Sequence, residues 1–182
     1  MRKFSFTIPG TPQHKRSGTP FYNKHTELTR IVPNAKNKPA SEAIKAAAVA
    51  CGWRGEAHTG GVLLGCTFYF PVPKSCTKAQ RERLLKSYHI AMPDLDRLHN
   101  QIQDALSGYW KTYKDANGKK KKQRMPGLMW NDDSQVCGYD RPIKRYSLNP
   151  RTEVTVWFLE ADDSFLEIDG ANELLVEVEP NA

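Results

Sequence analysis

Phe4, Phe6 and Ile8 alternate with Lys3, Ser5 and Thr7, which predicts a short strand with one apolar face, closed by Pro9-Gly10-Thr11-Pro12. From there to about Pro39 the chain has no clear period and is rich in Pro, Gly and Lys. It reads as one long loop, of the kind that is functional or mobile in a compact domain. Ala40 to Ala50 reads as a helix, with Ser41 suited to the N-cap, alanines favouring helix on propensity and Gly52 stopping it. Val62 to Phe70 reads as a strand. Val62, Leu64, Cys66, Phe68 and Phe70 share one face, and Leu63, Thr67 and Tyr69 the other. Apolar at most positions, it belongs in the middle of a sheet. After Pro71 and Pro73, Thr77 caps a basic helix running to Tyr88.

A third helix spans about Leu95 to Gly108. Leu95, Leu98, Ile102 and Ala105-Leu106 form its buried stripe, and Gly108 is suited to the C-cap. Residues 109–130 form a separate basic segment in which Asn117-Gly118 signals a tight turn, so a hairpin or a mobile loop is expected. Ser134 to Tyr146 and Thr152 to Leu159 alternate as two strands, expected to be antiparallel neighbours joined at Asn149-Pro150; Leu174 to Val178 is a further candidate strand. The expected fold is α/β (α+β): one domain over residues 1–159, with a small mixed sheet of about four strands packed with about three helices. Residues 160–182 would form a C-terminal tail.

The length, 182 residues, fits one domain. No apolar run approaches the ~20 residues of a membrane span, and no signal-peptide pattern follows Met1, so a cytoplasmic location is expected. Charge sharpens the picture. The net charge is +7, but from Glu160 onward there are eight acidic residues and no Lys or Arg, leaving +15 on residues 1–159. A body that basic points to a polyanionic partner, most simply nucleic acid. Cys51, Cys66, Cys76 and Cys137 contain no Cys-x-x-Cys, which argues against a zinc ribbon or redox pair; they read as reduced, mostly buried thiols. The five histidines lack a zinc-ligand spacing.

The candidate chemistry lies in carboxylates. Asp94 and Asp96 flank Leu95 at the start of the third helix, where both can point into one cleft while Leu95 enters the core. Helix N-terminal amides lower the cost of two neighbouring negative charges. Such a pair suits a hard divalent ion, Mg²⁺ or Mn²⁺. A third carboxylate comes from Asp132-Asp133, and three carboxylates around one or two ions serve phosphodiester hydrolysis. Asp94 also fits a plain N-cap, and Asp132-Asp133 a plain turn. Asp104, one turn beyond Asn100, also fits a bond to a neighbouring loop. The lysine run Lys119, Lys120, Lys121 and Lys122 fits either a solvated surface or phosphate contact, and Trp110, Trp130, Tyr109 and Tyr113 around it are able to stack on bases.

The order of these motifs resembles the RusA-type Holliday junction resolvases. Pro93-Asp94-Leu95-Asp96-x-Leu98, Asp104-Ala105-Leu106-x-Gly108, Trp130-x-Asp132-Asp133-Ser134-Gln135-Val136 and Lys144 carry the resemblance. Phe6-x-Ile8-Pro9-Gly10-x-Pro12-x-x-Lys15 adds the first strand and basic loop. The resemblance spans roughly Phe4 to Phe158. It implies a homodimeric, Mg²⁺-dependent endodeoxyribonuclease of phage or prophage type, acting on four-way junctions in recombination and repair. It makes Asp94, Asp96 and Asp133 the metal-binding catalytic carboxylates, with Asp132 and Asp104 in support. Lys144, Lys15 and Arg16 fall among DNA-contacting residues, with Arg97 and the lysine run beside them.

Two departures stand out. The family's usual Asp-Leu-Asp-Asn-Leu-x-Lys has Arg97 at the Asn position and Asn100 at the Lys position here. An amide carries no positive charge, so Arg97, Lys15 or Lys144 substitutes, or activity is lower. The second is the segment 109–127, where ~18 residues separate a glycine and tryptophan that typical members keep almost adjacent. Two other readings are a metal-dependent nuclease of another fold, which cuts duplex and junction alike, and a DNA-binding protein with a remnant site, which binds without cutting.

Overall fold

A computed structural model of the chain describes residues 1–160; the candidate strand Leu174 to Val178 and the tail beyond Glu160 lie outside them. Strand β4 (Val62–Pro71) decides the architecture. Val62, Leu64, Cys66, Phe68 and Phe70 are buried on one face and Leu63 on the other. An apolar strand left at an edge exposes both its side chains and its amides, so it is paired on both sides. β8 (Arg151–Phe158) lies antiparallel along one side and β7 (Val136–Ser147) parallel along the other, while β1 (Arg2–Pro9) pairs antiparallel with β8. The sheet order is therefore β1-β8-β4-β7. β7 and β8 run in opposite directions, as expected, but they are not neighbours. The Asn149-Pro150 link carries the chain across β4, because covering the most apolar strand outweighs a local hairpin.

Two helices cover one face of the sheet. α1 (Asn37–Ala50) contributes Ile44 and Ala48, and α3 (Leu95–Leu106) contributes Leu98, Ile102, Ala105 and Leu106. Each fully buried leucine or phenylalanine in this layer stabilises by roughly 1.5–3 kcal/mol. α1 starts before the alanine run, at Asn37, with Pro39 in its first turn, where a missing N–H costs nothing. Ser41 is thus inside the helix and not its cap; its hydroxyl accepts from Gln101 Nε2 at 2.9 Å and ties α1 to α3. α2 (Lys78–Leu85) is capped as expected by Thr77, reciprocally with Gln80, and buries no residue. Gly108 does not cap α3; Ser107 does. A side-chain carbon at Gly108 would run into the carbonyls of Met125 and Asn131, so glycine there permits close backbone approach.

The stretch read as one long loop contains a hairpin, β2 (Thr19–Asn23) and β3 (Leu28–Val32). Nearly all of its residues are exposed, so no buried face imposed a period. A second hairpin, β5 (Tyr109–Lys114) with β6 (Lys120–Met125), follows α3 and turns at Asn117-Gly118 as expected. The thiols depart from expectation. All four are free, but only Cys66 is buried, and burial pushes its thiol pKa up; Cys51 and Cys137 are exposed. Among the described residues no helix is long and apolar enough to cross a membrane.

His89 sits against the sheet's end, stacked on Phe70 at 4.1 Å, with a buried Nδ1 that has no hydrogen-bond partner. Burial first, and then the charge of Lys144, holds its pKa below the ordinary value; His14 and His99 shift the same way. The unfolded chain therefore takes up these protons first. Stability falls as pH drops through about 6.5 and levels off once the folded histidines are also protonated. His89→Phe is expected to flatten part of the decline in Tm on acidification, measured by thermal melts between about pH 7.5 and about pH 5.

Candidate metal centre

Asp94 occupies the N-cap position of α3 in extended conformation, yet its side chain makes no capping hydrogen bond. The helix end does not consume this carboxylate, which faces Arg97 at 4.0 Å with both side chains about half exposed. Asp96 is exposed in the first turn, and Leu95 between them packs against the core. The peptide leading into Asp94 is held from the sheet. Lys144 sits opposite Phe68 in the β4–β7 ladder, and its Nζ donates to the carbonyls of Ala91 and Pro93, both at 2.8 Å. Lys144 is thereby turned to the loop that presents Asp94. The N-terminal loop also reaches this end of α3. Burial, with Arg16 and Arg97 nearby, lowers the pKa of His14, and Asp94 partly offsets the shift.

The second carboxylate group rises from a buried base. Met129 and Trp130 are fully buried, and the chain then turns through a single 3₁₀ turn, Asp133–Gln135. Asp132 caps it by accepting from the Ser134 amide at 2.9 Å, and Arg124 forms an ion pair with the same carboxylate. Hydrogen bonds from Ser134, and then from Arg124, hold Asp132 well below the usual carboxylate range. Asp132 is committed to the turn, whereas Asp133 is exposed beside it.

Gln135 organises this turn. Its Oε1 accepts from the Asn131 and Asp132 amides, both at 2.9 Å, and its Nε2 donates to the carbonyls of His58 at 2.9 Å and Gly60 at 2.7 Å. From sequence Gln135 had a place in the Trp130-to-Val136 motif but no role, and Arg124 had neither; the capping-box spacing Asp132-x-x-Gln135 is the signal that points to the role of the first. Gln135→Leu strands four backbone groups at once. It is expected to weaken divalent-ion binding about 10–100-fold, as loss of a supporting contact does, measured by calorimetric titration with Mn²⁺.

Asp132 and Asp133 line a cleft together with Asp104, Trp110 and Arg124. Asp96 lies eight residues before Asp104, about 12 Å along the helix axis. The fold thus places Asp104 in one cleft with Asp132 and Asp133, while Asp96 lies about two helical turns before Asp104 on α3. Among the described residues, no three His, Cys, Asp or Glu side chains converge closely enough to hold an ion. The donor chemistry nonetheless fits a hard divalent cation. The site offers carboxylate oxygens, while the imidazole of His99 is buried against Phe68 and Tyr139.

The cations surround these groups. Lys15 crosses α3: its amide donates to Arg97 O at 2.9 Å and its Nζ meets Asp104 at 2.6 Å, so it straddles the level of exposed Asn100. Arg16 is pinned by its backbone to the Asn37 side chain, with both hydrogen bonds at 2.9 Å. In the β5–β6 hairpin, Lys120 and Lys122 lie on the same face as Trp110, Lys119 lies in the turn, and Lys121 pairs with Asp115 at 3.3 Å. Buried Trp130 presents no ring for stacking on bases, while Tyr109, Trp110 and Tyr113 are exposed.

The family model described as Endodeoxyribonuclease RusA matches residues 9–117. The matched span holds Lys15, Asp94, Asp96 and Asp104 and ends in the β5–β6 turn, ahead of Asp132, Asp133 and Lys144. No curated protein matches the chain.

Proposed function

Since the chain belongs to the RusA family, whose nucleases are metal-dependent crossover junction endodeoxyribonucleases, we propose that it resolves Holliday junctions and related branched DNA by paired symmetric nicks. It does so as a Mg²⁺-dependent homodimer, in recombination and repair in the cytoplasm of a bacterial or phage-infected cell. The observation that carries this reading is the uncapped, exposed Asp94 and Asp96 pair at the start of α3, inside the matched span and beside Arg97 and Lys15.

Asp94, Asp96 and Asp133 would hold the ion, Mg²⁺ or Mn²⁺, which supplies an activated water and neutralises charge on the phosphodiester oxygens. Asp132 is set apart from them by its commitment to the turn and Arg124. Paired nicks need two sites, which the proposed dimer supplies. Lys144 holds the approach to Asp94 through the Ala91 and Pro93 carbonyls. Lys15 replaces the family lysine that Asn100 lacks. Its pairing with Asp104 is about half exposed, a weak contact that a phosphate can displace. Arg16, Arg97 and Lys119, Lys120, Lys121 and Lys122 of the β5–β6 hairpin extend the phosphate-binding surface. The products are 5′-phosphate and 3′-hydroxyl ends.

The test is cleavage of a labelled four-way junction and a linear duplex, each with and without Mg²⁺. Paired symmetric nicks confined to the junction and to Mg²⁺ support the reading. Cutting of both substrates supports a general nuclease, and tight binding without cutting supports the remnant site that Asn100 would explain.

A further inference from the structure

The β5–β6 hairpin has two unlike faces. Side chains alternate along each strand, and the register pairs Trp110 with Arg124, Thr112 with Lys122 and Lys114 with Lys120 on one of them. Arg124 is fully engaged. It bonds the Asn131 carbonyl, pairs with Asp132, and lies 5.4 Å from the centroid of the Trp110 ring. It therefore braces Trp110 beside the Asp132-Asp133 turn, where Trp110 lines the same cleft and remains 59% exposed.

Toward the tip, this face carries Lys114, Lys120 and Lys122 and no acidic residue. Lys114 and Lys120 are direct cross-strand partners, a like-charge pair that destabilises the hairpin. On the opposite face the lysine nearest the tip, Lys121, is satisfied. Asp115 there pairs with Lys121, and its other oxygen accepts from the Asn117 and Lys119 amides that close the turn. A ladder of uncompensated cations leading to an exposed indole at the lip of a carboxylate cleft is complementary to one strand of nucleic acid. Phosphates relieve the lysine repulsion, and a base stacks on the indole. A base inside a duplex has no free face to offer; an unpaired one does.

We propose that the Trp110 face of the hairpin is a single-stranded-DNA recognition surface: Trp110 stacks on an unpaired base at the branch point, and Lys114, Lys120 and Lys122 hold the phosphates of the same strand. The strand is thereby led into the Asp132-Asp133 cleft. The proposal takes its substrate from the nuclease reading, but binding alone tests it.

The experiment is fluorescence anisotropy with a short single-stranded oligonucleotide and the matching duplex, without divalent ion. Trp110→Ala, shown by circular dichroism to be folded, is expected to lose at least about fivefold in single-strand affinity, the lower end of a base–aromatic stack. Its duplex affinity stays the same, and Trp110→Phe recovers most of the loss. The triple variant Lys114→Ala/Lys120→Ala/Lys122→Ala flattens the slope of log affinity against log salt by about 2 on the single strand. Lys111→Ala, on the opposite face, leaves that slope unchanged. Unaltered single-strand binding by Trp110→Ala, or an equal loss on duplex, overturns the stacking. An unaltered slope in the triple variant overturns the phosphate ladder. A wild-type protein that binds single strands through Trp110 yet never cuts a junction supports this surface and overturns the nuclease reading alone.

Discussion

Asp96→Asn is expected to bind a four-way junction as tightly as the unaltered chain and to lose Mg²⁺-dependent nicking by at least ~100-fold. The substitution keeps the shape of the side chain and removes one anionic oxygen donor. A hard divalent ion is held largely by such charge, so a neutral amide is a poor replacement. The fold should tolerate the change. Asp96 is exposed in the first turn of α3, and the lost interaction with the helix N-terminus amounts to about 0.3–1 kcal/mol. DNA affinity rests on the cations around the site, and removing a carboxylate from their midst does not weaken them. Gel-shift titration without Mg²⁺ and nicking with Mg²⁺ separate binding from chemistry. Unchanged cleavage by this variant would remove Asp96 from the site.

Trp130→Ala is expected to destabilise the protein by about 3–5 kcal/mol, as truncation of a buried aromatic does, and to lower Tm by roughly 6–20 °C for a chain of this size. Trp130 is fully buried, and its carbonyl accepts from the Gly108 amide at 3.1 Å, so it joins the end of α3 to the start of the Asp132-Asp133 turn. The cavity would lie directly beneath that turn. Its indole Nε1 is buried without a hydrogen-bond partner. Trp130→Phe therefore also removes an unsatisfied donor and should cost clearly less than alanine. Urea denaturation of the three proteins measures the difference. An alanine variant as stable as the parent would contradict the place of Trp130 in the core.

Much of this fold was legible because burial imposes a period. Phe4, Phe6 and Ile8 alternate against the core, Leu98, Ile102, Ala105 and Leu106 recur at helical spacing, and β4 is apolar on both faces. The β2–β3 hairpin was not legible, because its side chains are exposed and nothing selects their alternation. Ser41 and Gly108 misled for a shared reason. Each residue type suits a helix end, but one lies inside α1 to meet Gln101 and the other permits a close crossing of the chain at Asn131. The neighbours of β7 and β8 were misread because proximity along the chain favours a hairpin, whereas pairing both sides of β4 requires that they be separated.

At the candidate site the division is similar. The sequence by itself determined the types and order of the chemical groups: paired aspartates around Leu95, a second pair after Trp130, and a basic body around both. Those follow from local charge and spacing, which need no third dimension. Only the tertiary structure decided what each group is free to do. It ties Asp132 to Ser134 and Arg124 while leaving Asp133 exposed, and it turns Lys144 to the Ala91 and Pro93 carbonyls. It carries Lys15 across α3 past Asn100, and it braces Trp110 on one face of the hairpin. Each of these rests on hydrogen bonds or ion pairs whose partners the packing of the sheet, α3 and the loops selects, and such contacts leave no period in the chain.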